Sequence, residues 1–526
     1  MIADFRKTDT PTEYDADVCI VGSGAAGLTL AAHVARPLRV LIVEAGDWAP
    51  THGVDDWLTG EASDFPFDGF HDGRMRAFGG ATRRWAGQLM RLDAIDFEQR
   101  DWVPHSGWPI TLRDLEPFYD RAETFLGVGP AVYDARIWAR FGVRDPGFDN
   151  VDVFPKFTVY TPEPDFTKAF GARLVRENPA VSILLNATAV QVELNGNAAK
   201  VAGVRIAAEN GRTGFVRARA YVLCGGGLEN PRLLLASNSV MAAGVGNARD
   251  LVGRFFQDHP NGDTGIVTSA RPRVFQNQFR KLRRKRVTFW PKLSFTETAQ
   301  RRGRYLNANA LMVYDYDDNS ALVRAKGAIA AVRARSPSAA MRDGLRVLRH
   351  IPELAAQAVH TAATGKALRF DPSRIMLHTF AEQIPDPENR VMLSTARDRF
   401  GMGRLRLAWR VHPDELRTMR AFTEAAGAEF RRLGLGELAL APWLDQGIEG
   451  ARAEVKDFYH HAGTTRMAAT PAEGVTDPDC RVFDTDNLYL AGGSVFPTSG
   501  YANPTLTMVA LAIRLSDTLR ERLAPV

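Results

Sequence analysis

DVCIVGSGAAGLTLAAHVARPLRVLIVEAG, residues 17–46, reads as strand, glycine turn, helix and second strand. Gly22, Gly24 and Gly27 supply the pattern GxGxxG between the first strand and the helix. The first glycine permits a tight turn, the second lets backbone approach a pyrophosphate, and the third lets helix pack on strand. The helix N-terminus then faces the phosphate charge. Glu44, 22 residues after Gly22, is placed to accept hydrogen bonds from a ribose hydroxyl. A dinucleotide-binding βαβ unit therefore opens the chain, and on this motif alone NAD and FAD both remain open.

Working outward, 526 residues are more than one hydrophobic core requires, so two interlocked domains or a large insertion are expected. No apolar run is long enough to span a bilayer. The first seventeen residues are polar and acidic and carry no secretory or twin-Arg pattern, which favours the cytoplasm. Cys19, Cys224 and Cys480 are widely spaced without a CxxC pair, so free thiols and no structural metal are expected. The net charge of +5 is uneven: residues 321–369 hold nine Lys/Arg against Asp343 and Glu353. A second basic run comprises Arg280, Lys281, Arg283, Arg284, Lys285 and Arg286. Both runs read as solvated faces; nucleic-acid binding is not expected, and contact with an anionic membrane surface is the minor reading.

Residues 65–110 lack a period and read as a long looped segment with short helices. Thr111, with Asp114 three positions on, is a fit N-cap for a helix from Leu112 to Phe125. Short β-branched runs follow between Val181 and Val222, and Pro231 stands where a first helical turn is expected. VTFWPKLSF, YLNANALMVY, RIMLHTFAEQI and NRVMLS are candidate strands, with Ala/Arg/Leu helices at residues 321–369 between the second and third. A further helix is expected from Asp414 to Leu433. No repeat of fixed period is present. The domains are thus woven together rather than strung in series.

Two late stretches hold the chemistry: YHHAGTTRM, residues 459–467, and RVFDTDNLYLAGGSVFPTSGYANPTLTMVALA, residues 481–512. Asn503 precedes Pro504, the pairing of a helix N-cap with a first-turn proline. The same helix start, aimed at a flavin, would put partial positive charge near the ring. His460 and His461 are adjacent, so in an extended segment only one of them can face a site.

HxxGTxRM followed by AGGSVFPT and GYANPTLT resembles the end of the glucose/methanol/choline oxidoreductases, in the branch containing pyranose 2-oxidase and bacterial glycoside oxidoreductases. GSGAAG with VEAG, FGGATRRWAGQ, SGWPIT, VLCGGGLENPRLLL and EQIPDPENRVMLS extend the resemblance over nearly the whole chain. It implies an α/β architecture in which a Rossmann-like FAD-binding domain (residues 1–135, 180–260 and 455–526) is interwoven with an α+β substrate domain. That second domain, residues 136–179 and 261–454, would be built on an antiparallel sheet with a helical insertion at 321–369. His460 becomes the catalytic base and Asn503 its partner on the substrate oxygen. FAD-lining positions would be Gly22, Gly24, Ala25, Ala26, Gly27, Glu44, Gly79, Gly80, Thr82, Gly225, Gly226, Gly492, Gly493, Ser494, Asn503, Pro504 and Thr505, with Val190 against the adenine. Where pyranose 2-oxidase joins a histidine to the flavin, this chain has Arg84 before Trp85, which implies a non-covalent FAD.

The reaction implied is oxidation of a secondary alcohol, a sugar, glycoside or related polyol, to a ketone, with Gln383 a weak candidate for reaching the substrate. The alternatives are a non-sugar alcohol of secondary metabolism and a flavin-dependent lyase; a non-catalytic flavin-binding module leaves the His460/Asn503 pair unexplained. The electron acceptor (oxygen, a quinone or a protein), the oligomeric state and the hydroxyl attacked stay open.

Overall fold

The computed structural model describes residues 1–35, 37–50, 58–333, 337–367 and 370–524. Arg335 and Arg369 of the basic tally lie outside the described residues. The opening unit forms as its sequence dictates: strand Glu13–Val21, helix Ala25–Val34 and strand Val40–Val43, the last buried along its whole length. Val18 and Cys19 lie in parallel register with Val40 and Leu41. The sheet built on this pair runs, in spatial order, Ile2–Asp4, Val181–Leu185, Val40–Val43, Glu13–Val21, Thr213–Leu223, Val201–Ala207 and Thr188–Leu194. Its first five strands are parallel, and the last two return as an antiparallel meander. Leu488–Leu490 adds a parallel strand on Tyr221, Val222 and Leu223, which delivers the Gly492–Gly493 turn to the same edge as the first glycine turn.

A second sheet is antiparallel throughout. Its order is Glu437–Leu440, Asn261–Thr268, Arg374–Ala381, Ala308–Asp315, Val287–Phe295, Val153–Tyr160 and Gln88–Leu89. A third joins Arg390–Arg397, Gly403–Trp409 and Gly60–Asp64. The early segment thus lends strands to both later sheets, Gln88–Leu89 to one and Gly60–Asp64 to the other. Helix Thr505–Leu523 packs on helix Ala25–Val34 and closes the nucleotide-binding sheet from one side.

The helix over Leu112–Phe125 has the capping box read from the sequence: Thr111 Oγ1 accepts from the Asp114 N–H, and the Asp114 carboxylate accepts from the Thr111 N–H. Pro231 corrects the sequence reading. The helix begins at Gly226, so Pro231 sits inside it rather than in its first turn. A proline there leaves the carbonyl four residues back without its N–H, and the Gly227 carbonyl accepts instead from Thr464 Oγ1 at 2.7 Å. The mid-helix proline thereby ties this helix to the HxxGTxRM segment.

One buried ion pair clamps the early looped segment to the antiparallel sheet. Arg100 Nη1 and Nη2 donate to Glu382 Oε2 and Oε1 at 2.8 and 2.6 Å, with both side chains wholly buried. Glu382 lies just beyond strand Arg374–Ala381, and its Oε2 also accepts from the Asn307 N–H.

Candidate active site

A cavity of about 520 Å³ runs from the first glycine turn to the carboxy-terminal stretches. Gly22, Gly24, Ala25, Ala26 and Glu44 line it at one end; Gly80, Thr82, Gly225, Gly226, Gly492, Gly493, Asn503, Pro504, Thr505 and His460 line the remainder. Gly27, Gly79, Val190 and Ser494 lie behind its wall. At Gly27 a Cβ would sit 2.0 Å from the Gly22 carbonyl oxygen, so only glycine lets the helix approach the strand this closely. At Gly24 a Cβ would meet nothing within 4 Å, leaving backbone open to the cavity. Val190 sits at a bulge between Ala189 and Gln191, beside the lining residues Thr188 and Ala189. Ser494 is buried and accepts from the Asn230 side-chain amide at 2.9 Å, while Asn230 Oδ1 accepts from the Gly225 N–H at 2.7 Å. Through Asn230 it is tied to the Gly225 turn.

Glu44 is buried and accepts from the Ser23 and Gly46 N–H groups at 3.0 and 2.8 Å. Arg74, which sequence reasoning missed, borders the cavity with a buried Nη1 that has no partner, while its other terminal nitrogen pairs with Glu229. An open glycine backbone at a helix start, a buried carboxylate and an unpaired guanidinium N–H are the donor and acceptor set that a dinucleotide with a charged pyrophosphate requires. The residues present therefore fit FAD.

At the other end stand the histidines. His460 Nδ1 lies 2.8 Å from His259 Nδ1, with the rings perpendicular. Asp258 Oδ1 ties the two segments together by accepting from the N–H groups of His259, Phe458 and His460 at 2.6, 3.1 and 3.0 Å. Burial pushes the His460 imidazole well below its ordinary value, with His259, Lys292 and His461 adding to the effect. Its half-burial reflects exposure to the cavity it lines. Burial likewise brings His259 down to about 4. Both rings are neutral near pH 7. The His259 contact spans 201 residues, so no spacing in the sequence could have shown it.

Asn503 is buried, borders the same cavity as His460, and receives Lys292 Nζ on its Oδ1 at 3.5 Å. It is not the helix cap read from the sequence: the cap position falls on Pro504, with no side-chain cap hydrogen bond. The amide side chain is directed to Lys292 rather than to the helix backbone. Burial brings Lys292 down to about 7. Gln383 is also corrected. It is wholly buried, its Oε1 accepting from the Asp258 N–H and Trp409 Nε1 and its Nε2 donating to the Arg410 carbonyl. With these groups engaged away from the cavity, Gln383 does not line it.

His461 takes a different path from His460. It packs near Phe67 and Phe256, and its Nε2 is 3.9 Å from Asp258 Oδ2. Asp258, Asp457 and His461 bring three ligand atoms within 4.8 Å of one another, each without a hydrogen-bond partner. Burial, then the neighbouring Asp457, raises the Asp258 carboxyl to about 7. This group could share a proton or hold a cation; Asp457 and His461 are four residues apart, but Asp258 is distant in sequence, so motif reading could not find the three together.

A parallel sheet with a glycine turn at its carboxyl edge, joined through one cavity to a neutral histidine over an antiparallel sheet, defines a two-part flavin-dependent oxidoreductase. The comparisons agree. Residues 17–250 match the FAD-dependent oxidoreductase family, and residues 385–512 match the GMC oxidoreductase family. The chain is 25% identical to 6'''-hydroxyparomomycin C oxidase of Streptomyces lividus, over 97% of this chain and 92% of that one. It is 24% identical to 2-methyl-1,2-propanediol dehydrogenase of Mycolicibacterium austroafricanum, over 98% and 97%. A shorter match, 35% identical over 26% of this chain and 25% of the other, is to C-glycoside 3-oxidase of Arthrobacter globiformis. Among solved structures, formate oxidase superposes with a TM-score of 0.59 at 16% identity, covering 98% and 99%. The chain belongs to the glucose/methanol/choline oxidoreductase family, FAD-dependent enzymes acting on CH–OH groups.

The depressed His460 value sets a pH dependence. A base whose folded value lies well below 6.5 stays unprotonated, and so competent, down through that pH. The variant Lys292→Met removes a second titration beside Asn503. In it, kcat/KM for flavin reduction is expected to stay level through pH 6.5 and to fall only well below it. An inflection at 6.5 or above that persists when Asp258→Asn is added would mark His460 as an ordinary imidazole.

Proposed function

We propose that this enzyme oxidises a secondary alcohol, on a sugar, glycoside or related polyol, to a ketone, with His460 as the base and Asn503 holding the substrate oxygen. The observation that carries this reading is the 2.8 Å contact between the Nδ1 atoms of His460 and His259 beside the shared cavity. Two neutral rings meeting through these atoms can place only one proton between them. On its far side the His259 ring lies near backbone of Ser499 and Gly500 that favours its protonated form, and although Nε2 makes no formed hydrogen bond there, we assign the proton to that nitrogen. His259 Nδ1 is then the acceptor and His460 Nδ1–H the donor, which leaves His460 Nε2 with a bare lone pair. That lone pair takes the hydroxyl proton as the C–H bond breaks. Bound FAD supplies the hydride acceptor.

Gly22, Gly24, Glu44 and Arg74 would hold the dinucleotide, and Gly80, Gly226, Gly493 and Thr505 the remainder of the cofactor. Arg84 and Trp85 border the cavity where a linking histidine would stand, which supports a non-covalent FAD. Acid precipitation is expected to release the yellow cofactor into the supernatant; colour in the pellet would refute this.

The tautomer argument has its own test. His259→Leu removes the acceptor and is expected to slow flavin reduction roughly 10–100-fold, with little change in the substrate concentration giving half-maximal rate. His259→Asn, whose Oδ1 can replace Nδ1, should recover most of the rate. Equal rates in both variants would sever His259 from the base.

The glycoside reading rests on the branch resemblance and on relatives named C-glycoside 3-oxidase and 6'''-hydroxyparomomycin C oxidase. Full-length similarity to a diol dehydrogenase supports the second reading, a non-sugar alcohol. NMR of the turnover product decides: a ring ketone on a glycoside bears out the proposal, and product from simple diols alone supports the second.

A further inference from the structure

The two basic runs, residues 280–286 and 321–369, are separate in sequence and joined by the fold. Leu282 bridges to Lys366, the Ala367 N–H donates to the Lys281 carbonyl at 2.9 Å, and the Arg283 N–H meets the Gly365 carbonyl. This seats the hairpin of strands Leu282–Arg284 and Val287–Phe295 at the end of helix Ile351–Thr364. At the hairpin tip Arg283, Arg284, Lys285 and Arg286 are all exposed, and among the described residues none has a carboxylate within ion-pair distance.

The adjoining helices, Ala321–Arg333, Pro337–Leu348 and Ile351–Thr364, carry the other half of the signal. Seven of the thirteen exposed large apolar side chains among the described residues fall here, so apolar exposure is concentrated rather than scattered. Their spacing is helical. Ile329 and Val332 lie on one face of the first helix, Met341, Leu345 and Leu348 on one face of the second, and Ile351 and Val359 on one face of the third. Val332, Met341, Leu345 and Val359 are 66, 70, 61 and 70% exposed, as no residue meant to meet its own core would be. The third helix has no buried residue at all.

We propose that this surface docks on a bilayer bearing anionic headgroups, the aliphatic stripes entering the interface and the basic hairpin lying against the phosphates. Among the described residues no helix is long and apolar enough to cross a membrane, so the contact proposed is peripheral. Charge selects this occupant over two others. A second copy of the chain would bring two surpluses of positive charge face to face, since residues 321–369 hold nine Lys/Arg against two acids. A single-stranded nucleic acid would use aromatic side chains as stacking platforms, and the helices of residues 321–364 contain no Phe, Trp or Tyr, while a duplex would gain nothing from their exposed aliphatic side chains. Taken separately, the runs read from the sequence as solvated faces; their juxtaposition and the concentration of exposed aliphatic side chains on the adjoining helices make that reading inadequate.

The test is co-sedimentation of the full, FAD-loaded protein with vesicles of phosphatidylcholine alone or of phosphatidylcholine with about one third phosphatidylglycerol. The expected result is binding at least about tenfold stronger to the anionic vesicles, weakened by a similar factor when salt rises from about 0.1 to 0.5 M. Arg283→Glu/Lys285→Glu and, separately, Leu345→Glu/Val359→Glu should each lower binding about tenfold or more while flavin absorbance and reduction rate stay unchanged. Absence of binding to anionic vesicles, or binding indifferent to both variants, overturns the proposal. So does concentration-dependent self-association, broken by Leu345→Glu, in protein that ignores vesicles.

Discussion

His460→Ala is expected to slow anaerobic flavin reduction by roughly 10²–10⁴, the range for loss of one positioned general base. FAD should stay bound. The glycine turns and Glu44 that would hold the nucleotide lie at the opposite end of the cavity from His460, and Ser494 and Asn230 fix the nearer turns independently of it. Stopped-flow absorbance with saturating substrate measures the rate directly, and the oxidised visible spectrum reports cofactor content in the same sample. Near-normal reduction would remove His460 from the mechanism. Suspicion would not pass easily to His461, whose imidazole is buried against Phe67 and Phe256 and whose Nε2 faces Asp258.

Arg100→Met is expected to cost about 3–5 kcal/mol, because it strands the Glu382 carboxylate in a wholly buried site. The loss would read as a lower urea midpoint at unchanged slope. The pair itself adds far less than this, since desolvation of both charges offsets much of their attraction. Arg100→Met combined with Glu382→Leu should therefore recover most of the stability. If the double variant is as unstable as the single one, the cost lies in lost packing around the arginine stem rather than in the abandoned charge. The clamp matters to the site because Glu382 is followed directly by Gln383, whose side chain accepts from the Asp258 N–H. Asp258 in turn accepts from the N–H groups of His259 and His460.

What the sequence made legible was local. GxGxxG between two strands works through neighbours within about thirty residues, and those residues adopt the βαβ unit read from them. The capping box at Thr111 and the strands at Val287–Phe295 and Arg374–Ala381 are local in the same sense. Reading failed where a local preference lost to a distant partner. Pro231 has the look of a helix start, yet a threonine 233 positions away satisfies the carbonyl its ring would orphan. Asn503 has the look of a cap, yet Lys292 claims its oxygen. Gln383 reads as a candidate for reaching substrate, whereas the backbone of Asp258 and the Trp409 indole engage its side chain. His259 gave only a faint signal, a histidine in DHP at a strand start, because its meaning depends on a ring 201 residues on. The two basic runs were each visible, but nothing local showed that Leu282 would pair with Lys366.

The central claim is that this cavity passes hydride from an alcohol to FAD. The most direct test is the visible spectrum of the purified protein, followed without oxygen as glycosides, free sugars and simple alcohols are added in turn. The account predicts oxidised flavin bands that bleach stoichiometrically with a glycoside or related polyol, and bleach far more slowly in His460→Ala. Flavin bands that no alcohol bleaches would contradict it.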